Sequence, residues 1–271
     1  YNDKDGHFVS KQPEYETVWS HGGHCGIDDI DKIARMDFIE DDIGLDTIET
    51  GVALGLAMEA GLVKYGDADA AIDLLKEIEK GTPLGRIIGS GAAVTGRVFG
   101  LDRVPVVKGQ AIPAYDPRAV KGLGVTYATS TMGADHTAGY ATATNILKVG
   151  GFVDPLKPEG QVELSRNLQI ATAAIDSTGM CVFVAFALMD IPETFTALID
   201  MLNSLYGIDL TPDNVVELGQ KILKIERDFN AKAGFTKEHD RLPAFFKAQA
   251  VPPHNVTFDV PDEELDKVFN F

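Results

Sequence analysis

The sequence predicts a mainly α, multi-helical protein of two packed helical domains. Helix start and stop signals recur along most of its 271 residues. No stretch alternates apolar and polar residues between turn signals, as a half-buried strand would. With 45% hydrophobic residues the chain can bury a core, and its length suits one large or two ordinary domains.

The elements follow in order. Thr50 to Gly61 reads TGVALGLAMEAG, a run of small residues that lets helix axes, or a bulky cofactor, come close. Close helix packing is the plainer explanation. Asp67 is an N-cap, Ile72, Leu75 and Ile78 follow on one face, and Gly81 marks the stop. Thr82-Pro83 starts the next helix, with Leu84, Ile87 and Ile88 facing inward. The stretch from Val104 to Gly124 carries three prolines and little helical period. A domain boundary is expected there, near residue 118, giving domains 1–118 and 119–271. Ala138 to Thr144, AGYATAT, is again rich in small residues. Pro192 opens a helix that ends near Gly207. Thr211-Pro212 opens a long one, with Val215, Leu218, Ile222 and Ile225 at helical spacing and Gly234 near its end. Asp240 to Pro253 is irregular, and Pro261-Asp262-Glu263-Glu264 caps a last short helix.

Charge and cysteine content narrow the function classes. A net charge of -17 argues against nucleic acid, whose phosphates demand Lys and Arg. It fits an acidic soluble protein, one kept in solution or one steering a positively charged partner. Two cysteines, Cys25 and Cys181, make no disulfide framework, so a reducing, cytoplasmic setting is expected. The most apolar run, Cys181 to Met189, is too short to span a bilayer, and no membrane partner is expected. No signal peptide opens the chain. It begins with Tyr1 rather than Met, so the natural start is expected upstream, unless a tag was removed.

Asp176-Ser177-Thr178-Gly179-Met180-Cys181 echoes Asp41-Asp42-Ile43-Gly44-Leu45-Asp46. Both fit Asp-x-x-Gly-(Leu/Met)-(Asp/Cys). Each offers a carboxylate, which only accepts hydrogen bonds when ionised, and a glycine that lets backbone approach a ligand. Two matching acceptor sites suit a ligand with two similar, donor-rich halves. Pro13 to Thr17, PEYET, sets Glu14 and Glu16 two residues apart near the lone Trp19. One of them is a general-base candidate if it faces a dry pocket; the plain alternative is two solvated carboxylates. His136 follows a hydroxyl- and glycine-bearing run and can shuttle protons near neutral pH, or be an idle loop residue. His21, His24 and Cys25 cluster tightly, but the spacing matches no standard zinc pattern. Gly89-Ser90-Gly91 begins like a dinucleotide fingerprint, yet Val94 stands where the third glycine belongs and the preceding segment reads as helix. Cys181 precedes an apolar run; a buried, inert thiol is the usual case and a cluster ligand the sharper one.

Taken together these segments resemble the tungsten-containing aldehyde:ferredoxin oxidoreductase family. The matching stretches are PEYET at Pro13, CGIDDI at Cys25, GLDTIETG at Gly44, AYDPRAVKGLGVTY at Ala114, ATSTMGADH at Ala128, IDSTGMC at Ile175 and DRLPAF at Asp240, with the end from Phe258 to Phe271. They run in collinear order over nearly the whole chain. Full-length family members are more than twice this length, so the resemblance implies the later part of family domain 2 (1–118) and domain 3 (119–271). The β-rich N-terminal domain is lacking.

The resemblance implies a bis-pterin tungsten (or molybdenum) cofactor and a 4Fe-4S cluster. Asp41, Gly44, Leu45 and Asp46 would hold one pterin, and Asp176, Gly179 and Met180 the other. Cys181 would be a cluster ligand. The family's other three cluster cysteines lie upstream in a Cys-x-x-Cys-x-x-x-Cys run that this chain lacks. Both cofactors are therefore expected to be absent from these residues alone. Glu16, preferred over Glu14, would be the catalytic base, and His136 would sit near the substrate. The implied reaction oxidises an aldehyde to a carboxylic acid and passes electrons to ferredoxin. A missing N-terminal half or partner subunit is implied as a partner, and self-association into a homo-oligomer is left open. Reduction of an aryl coenzyme A thioester, and an inactive isolated helical module, are the alternatives.

Overall fold

The computed structural model describes residues 1–271 and is mainly helical. The chain divides into two compact units, Tyr1–Ala114 and Tyr115–Phe271.

In the first unit a short helix α1 (Tyr15–Val18) runs directly into a π-helical turn, Trp19–Gly23. Then come α2 (Ile30–Ile43), α3 (Thr47–Glu59), α4 (Ala68–Lys80), α5 (Pro83–Ile88) and α6 (Ala92–Val98). Their boundaries are set by caps. The Asp29 carboxylate accepts from Asp31 and Lys32 N–H, that of Asp46 from Glu49 N–H and that of Asp67 from Ala70 N–H. Each satisfies a donor that the first turn leaves without an intrahelical partner. Gly44 and Gly81 end α2 and α4 in the left-handed conformation. Helix α3 is the hub, buried from Thr50 to Met58. Its small residues make room for one particular neighbour. A Cβ on Gly51 would lie 2.5 Å from Ser20 Cβ, and one on Gly55 would lie 2.1 Å from His24 Nε2. The π turn therefore packs against α3 at a distance only glycine permits. Leu54, Ala57, Met36, Leu75 and Ile88 form the core beside it. Each large apolar side chain buried there contributes about 1.5–3 kcal/mol. The proline-bearing stretch forms the only sheet, β1 (Val106–Val107) paired antiparallel with β2 (Gln110–Ala111). The two residues between them, Lys108 and Gly109, both have positive φ, the geometry of a tight hairpin turn.

The second unit contains α7 (Lys121–Thr129), α8 (Gln161–Ser177), α9 (Ala185–Asp190), α10 (Pro192–Tyr206), α11 (Pro212–Lys232), α12 (Phe245–Ala248) and α13 (Asp262–Leu265). A second π-helical turn spans Ala143–Leu147. Every residue of α7 is buried. Polar side chains line its contact with α8, and they are bonded to each other. Thr126 Oγ1 lies 2.8 Å from Ser165 Oγ, and Gln169 Nε2 donates to Thr129 Oγ1 at 3.0 Å. The C-terminal segment is strapped across this pair. A Cβ on Gly124 would meet the Phe258 ring at 2.4 Å, Lys121 Nζ reaches Asp259 at 2.5 Å, and Arg166 donates to the carbonyls of Lys267 and Val268.

Helix α11 obeys its start signals, with a capping box between Thr211 and Asn214. Its buried face, however, carries Gly219 and Leu223, while Leu218, Ile225 and Phe229 are exposed. Close approach to α8 explains the choice. A Cβ at position 219 would lie 2.1 Å from the carbonyl oxygen of Ile170, a backbone atom that cannot rotate away. Gly219→Ala should therefore destabilise the chain by about 1–3 kcal/mol, as overpacking does. A lowered urea midpoint at unchanged m-value is the expected result.

Candidate functional site

The first Asp-x-x-Gly motif is a helix end followed at once by a helix start. Asp41 lies in the last turn of α2, Gly44 (φ 75°) stops it, and Asp46 caps α3 with a 2.7 Å bond from Glu49 N–H. The second motif repeats the stop. Asp176 lies in the last turn of α8, Gly179 has φ 77°, and its N–H donates to the Asp176 carbonyl at 3.0 Å. The left-handed turn accounts for both glycines. It does not account for the carboxylates, which face the negative end of the helix macrodipole, an interaction unfavourable by about 0.3–1 kcal/mol at a surface. Apart from the residues next to it in the chain, nothing lies within 4 Å of where a Cβ on Gly44 or Gly179 would stand. Space beside the backbone is thus open at both motifs.

Around Asp41 the charges are arranged. Lys11 Nζ lies 3.2 Å from Asp41 Oδ2, 3.2 Å from Asp37 Oδ1 and 3.1 Å from Glu14 Oε2. Burial pulls the Lys11 pKa down, but these three carboxylates outweigh it and raise it. Glu14 is exposed and paired with Lys11. Glu16 is half-buried, and its Oε2 accepts the Ala114 N–H at 2.9 Å. Burial raises its pKa; the Ala114 N–H opposes this and the charge of Asp46 adds to it. Of the two glutamates, Glu16 has the environment of a base and Glu14 that of a solvated ion-pair partner.

Beneath this surface lies a feature that sequence reasoning missed. His21 and Glu40 are both fully buried, with Nε2 and Oε1 2.8 Å apart. His21 Nδ1 faces the Thr17 carbonyl at 3.1 Å. Burial would lower the His21 pKa, but Glu40 more than reverses it, so the pair keeps its proton. The run Glu40-Asp41-Asp42 offered no sign of which acid points inward.

In the second unit His136 sits among rings. Its centroid is 5.7 Å from both Tyr115 and Tyr140, whose hydroxyls are 2.6 Å apart, and Phe186 packs 6.0 Å from Tyr140. Burial lowers the His136 pKa, against an opposing pull from Asp135. The imidazole is therefore neutral at pH 7 and can both donate and accept. The Asp176 pKa is raised by burial and by the charges of Asp135 and Glu226. Met180 lies at an open cavity of about 610 Å³ shared with Thr178, Leu198 and Met201.

The remaining motifs resolve simply. His21, His24 and Cys25 do not converge, and no group of three His, Cys, Asp or Glu side chains is placed to hold a metal ion. Gly89 ends α5 and Gly91 starts α6, so helix rather than strand precedes the dinucleotide-like run. No single helix is long and apolar enough to cross a membrane.

The cysteines differ sharply. Cys25 is fully buried, its Sγ bonded to the carbonyls of Ser20 and Gly51, and burial pushes its pKa up to about 12. Cys181 is exposed, not sunk in the apolar run that follows it. A buried thiol of raised pKa is inert. Alkylation of the folded chain at pH 8, followed by peptide mass mapping, should label Cys181 and leave Cys25 free until urea unfolds the protein.

The family model for aldehyde ferredoxin oxidoreductase, domains 2 and 3, matches residues 1–270. The tungsten-containing aldehyde ferredoxin oxidoreductase of Pyrococcus horikoshii is 33% identical over 259 residues, and that of Pyrococcus furiosus 32% over 257. Each match covers 89% of this chain and 42% of the relative. The WOR-like subunit of an aliphatic sulfonate oxidoreductase from Pyrococcus furiosus is 26% identical over 284 residues, covering 94% of this chain and 41% of that subunit. The chain thus spans about two fifths of the length of the curated relatives it matches. Because that family model matches all but the last residue, the chain belongs to the aldehyde ferredoxin oxidoreductase family.

Proposed function

We propose that these residues form the pterin-holding and acid–base part of a tungstopterin enzyme that oxidises aldehydes to carboxylic acids. Residues 1–118 would be the later part of family domain 2 and 119–271 domain 3. The repeated helix end carries this reading: an acceptor-only carboxylate in the last turn, then a left-handed glycine with open space above it, made twice. Pterin rings present N–H donors, which such carboxylates accept with charge assistance. Asp41 with Gly44, Leu45 and Asp46 would hold one ring, and Asp176 with Gly179 and Met180 the other. Asp46 would use the acceptor capacity left over from capping α3. Tungsten, held by the two pterins, would supply the two-electron redox chemistry.

The chain's own residues would handle protons and orientation. The balance is aldehyde plus water to carboxylic acid, two protons and two electrons, the electrons going to ferredoxin. Glu16 would take a proton from water as its oxygen joins the carbonyl carbon. His136, neutral, would donate a hydrogen bond to the carbonyl oxygen, with Tyr115 and Tyr140 fixing its ring. Cys181 can give one thiolate to an iron–sulfur cluster. Four are needed, and Cys25 cannot be a second from inside the core. The cluster is therefore not a group these residues hold alone, and the cytoplasm is the compartment that keeps such a thiol reduced.

A second reading is favoured by one observation. The rings of Tyr115, Tyr140 and Phe186 around His136 suit a flat aromatic substrate. Reduction of an aryl coenzyme A thioester would use the same residues. Assay of the intact enzyme against simple aldehydes and aryl thioesters separates the two.

Glu16→Gln in the intact enzyme should lower kcat about 100- to 10,000-fold while tungsten content stays unchanged. Full activity in that variant would remove Glu16 from the mechanism. The raised Glu16 pKa sets the sign of the pH profile. Activity should fall as pH drops through that pKa, with a midpoint above the ordinary glutamate value near 4.5, and this acid limb should vanish in Glu16→Gln.

A further inference from the structure

Three carboxylates of the first motif region each have a polar neighbour in the chain that is bonded into the interior. Thr17 follows Glu16, Glu40 precedes Asp41, and Thr47 follows Asp46. All three neighbours converge on Ser20 and His21 in the π-helical turn. His21 Nε2 is 2.8 Å from Glu40 Oε1, and His21 Nδ1 is 3.1 Å from the Thr17 carbonyl and 3.0 Å from Ser20 Oγ. Ser20 Oγ donates to the Thr47 carbonyl at 2.9 Å, and the hydroxyls of Thr17 and Thr47 are 2.8 Å apart.

We propose that the buried His21–Glu40 pair is the positioning device of this site. It fixes the turn that carries Glu16 against the helix end that carries Asp41 and, through Ser20 and Thr17, against the helix start that carries Asp46. The inference rests on the reading of Glu16 as base, and neither His21 nor Glu40 touches the substrate.

Stability alone does not explain the pair. Buried ion pairs are often matched or bettered by apolar residues of similar volume. Glu40 Oε2 is buried with no hydrogen-bond partner, so the pair is not an optimised one. The segment also departs from α geometry, as helices do at functional positions. Gly51 and Gly55 are glycines because this turn presses on them. The charged and titratable groups facing the pair are Asp37 on α2, Asp46 at the start of α3, and His24 and Cys25 on its own segment, with Lys11 bound to Asp37 at 3.2 Å.

The test is the double variant His21→Leu with Glu40→Leu, which keeps the core apolar and should fold with a near-normal urea midpoint. Two readouts follow. On the chain itself, with carbon-13-labelled glutamate, the Glu16 carboxyl titration is expected to move back toward the ordinary 4.5 as the turn loosens and water reaches it. In the intact enzyme, kcat is expected to fall about 100-fold, the scale of a misplacement near 1 Å, with KM changed less. A folded double variant with unchanged Glu16 titration and unchanged kcat overturns the proposal. Glu40→Gln decides the matter independently of whether the double variant folds. It keeps the hydrogen bond and removes the charge, so the His21 pKa should drop while the Glu16 midpoint and the enzyme's pH profile stay in place. A Glu16 midpoint that moves with the Glu40 charge alone also overturns it, because the pair would then act through space and not by position. The titration needs no tungsten and no pterin, so it stands apart from the outcome of Glu16→Gln.

Discussion

A carboxylate in the last turn of a helix sits where the macrodipole least favours it. This chain places one there at Asp41 and again at Asp176, each three residues before a left-handed glycine. Much of the first unit can be understood as the means of tolerating that placement at Asp41. Lys11 bridges Asp41 to Asp37 and Glu14, while the adjacent Glu40 turns inward to meet His21. An ordinary helix stop needs none of this.

The two units handle their acid–base groups by different physics. Glu16 has its pKa raised by burial and by Asp46, which favours proton uptake. His136 is kept neutral by burial among aromatic rings, so its imidazole can both donate and accept a hydrogen bond. In both units, packing at several glycines excludes even a methyl group. Gly55 against His24, Gly124 against Phe258 and Gly219 against Ile170 are each closer than any larger residue permits.

Helix boundaries were legible in the sequence because caps act locally. Asp67 with Gly81, Thr82-Pro83, Pro192 with Gly207 and Thr211-Pro212 each mark the end they predict. Side-chain direction was less legible, because it is decided by partners distant in sequence. The apolar spacing of Leu218, Ile222 and Ile225 is a sound helical pattern, yet close contact at Gly219 turned α11 onto another face. The small residues of α3 were visible as such, but the π turn they accommodate gives no periodic signal. Asp46 stood out as part of a repeat, and its N-cap bond became evident only once α3 had a start. For Cys181 the apolar neighbours suggest a buried thiol and the family resemblance a cluster ligand; the thiol lies exposed.

The measurement that bears most directly on the paired helix ends is the tungsten and pterin content of the intact enzyme, purified anaerobically, beside Asp41→Ala and Asp176→Ala forms. One tungsten and about two pterins are expected in the wild type, since each motif would supply acceptors to one ring. Either substitution should lower both contents while the protein stays folded. Full tungsten and pterin in both variants would contradict it, and would reduce the repeated motif to two helix stops.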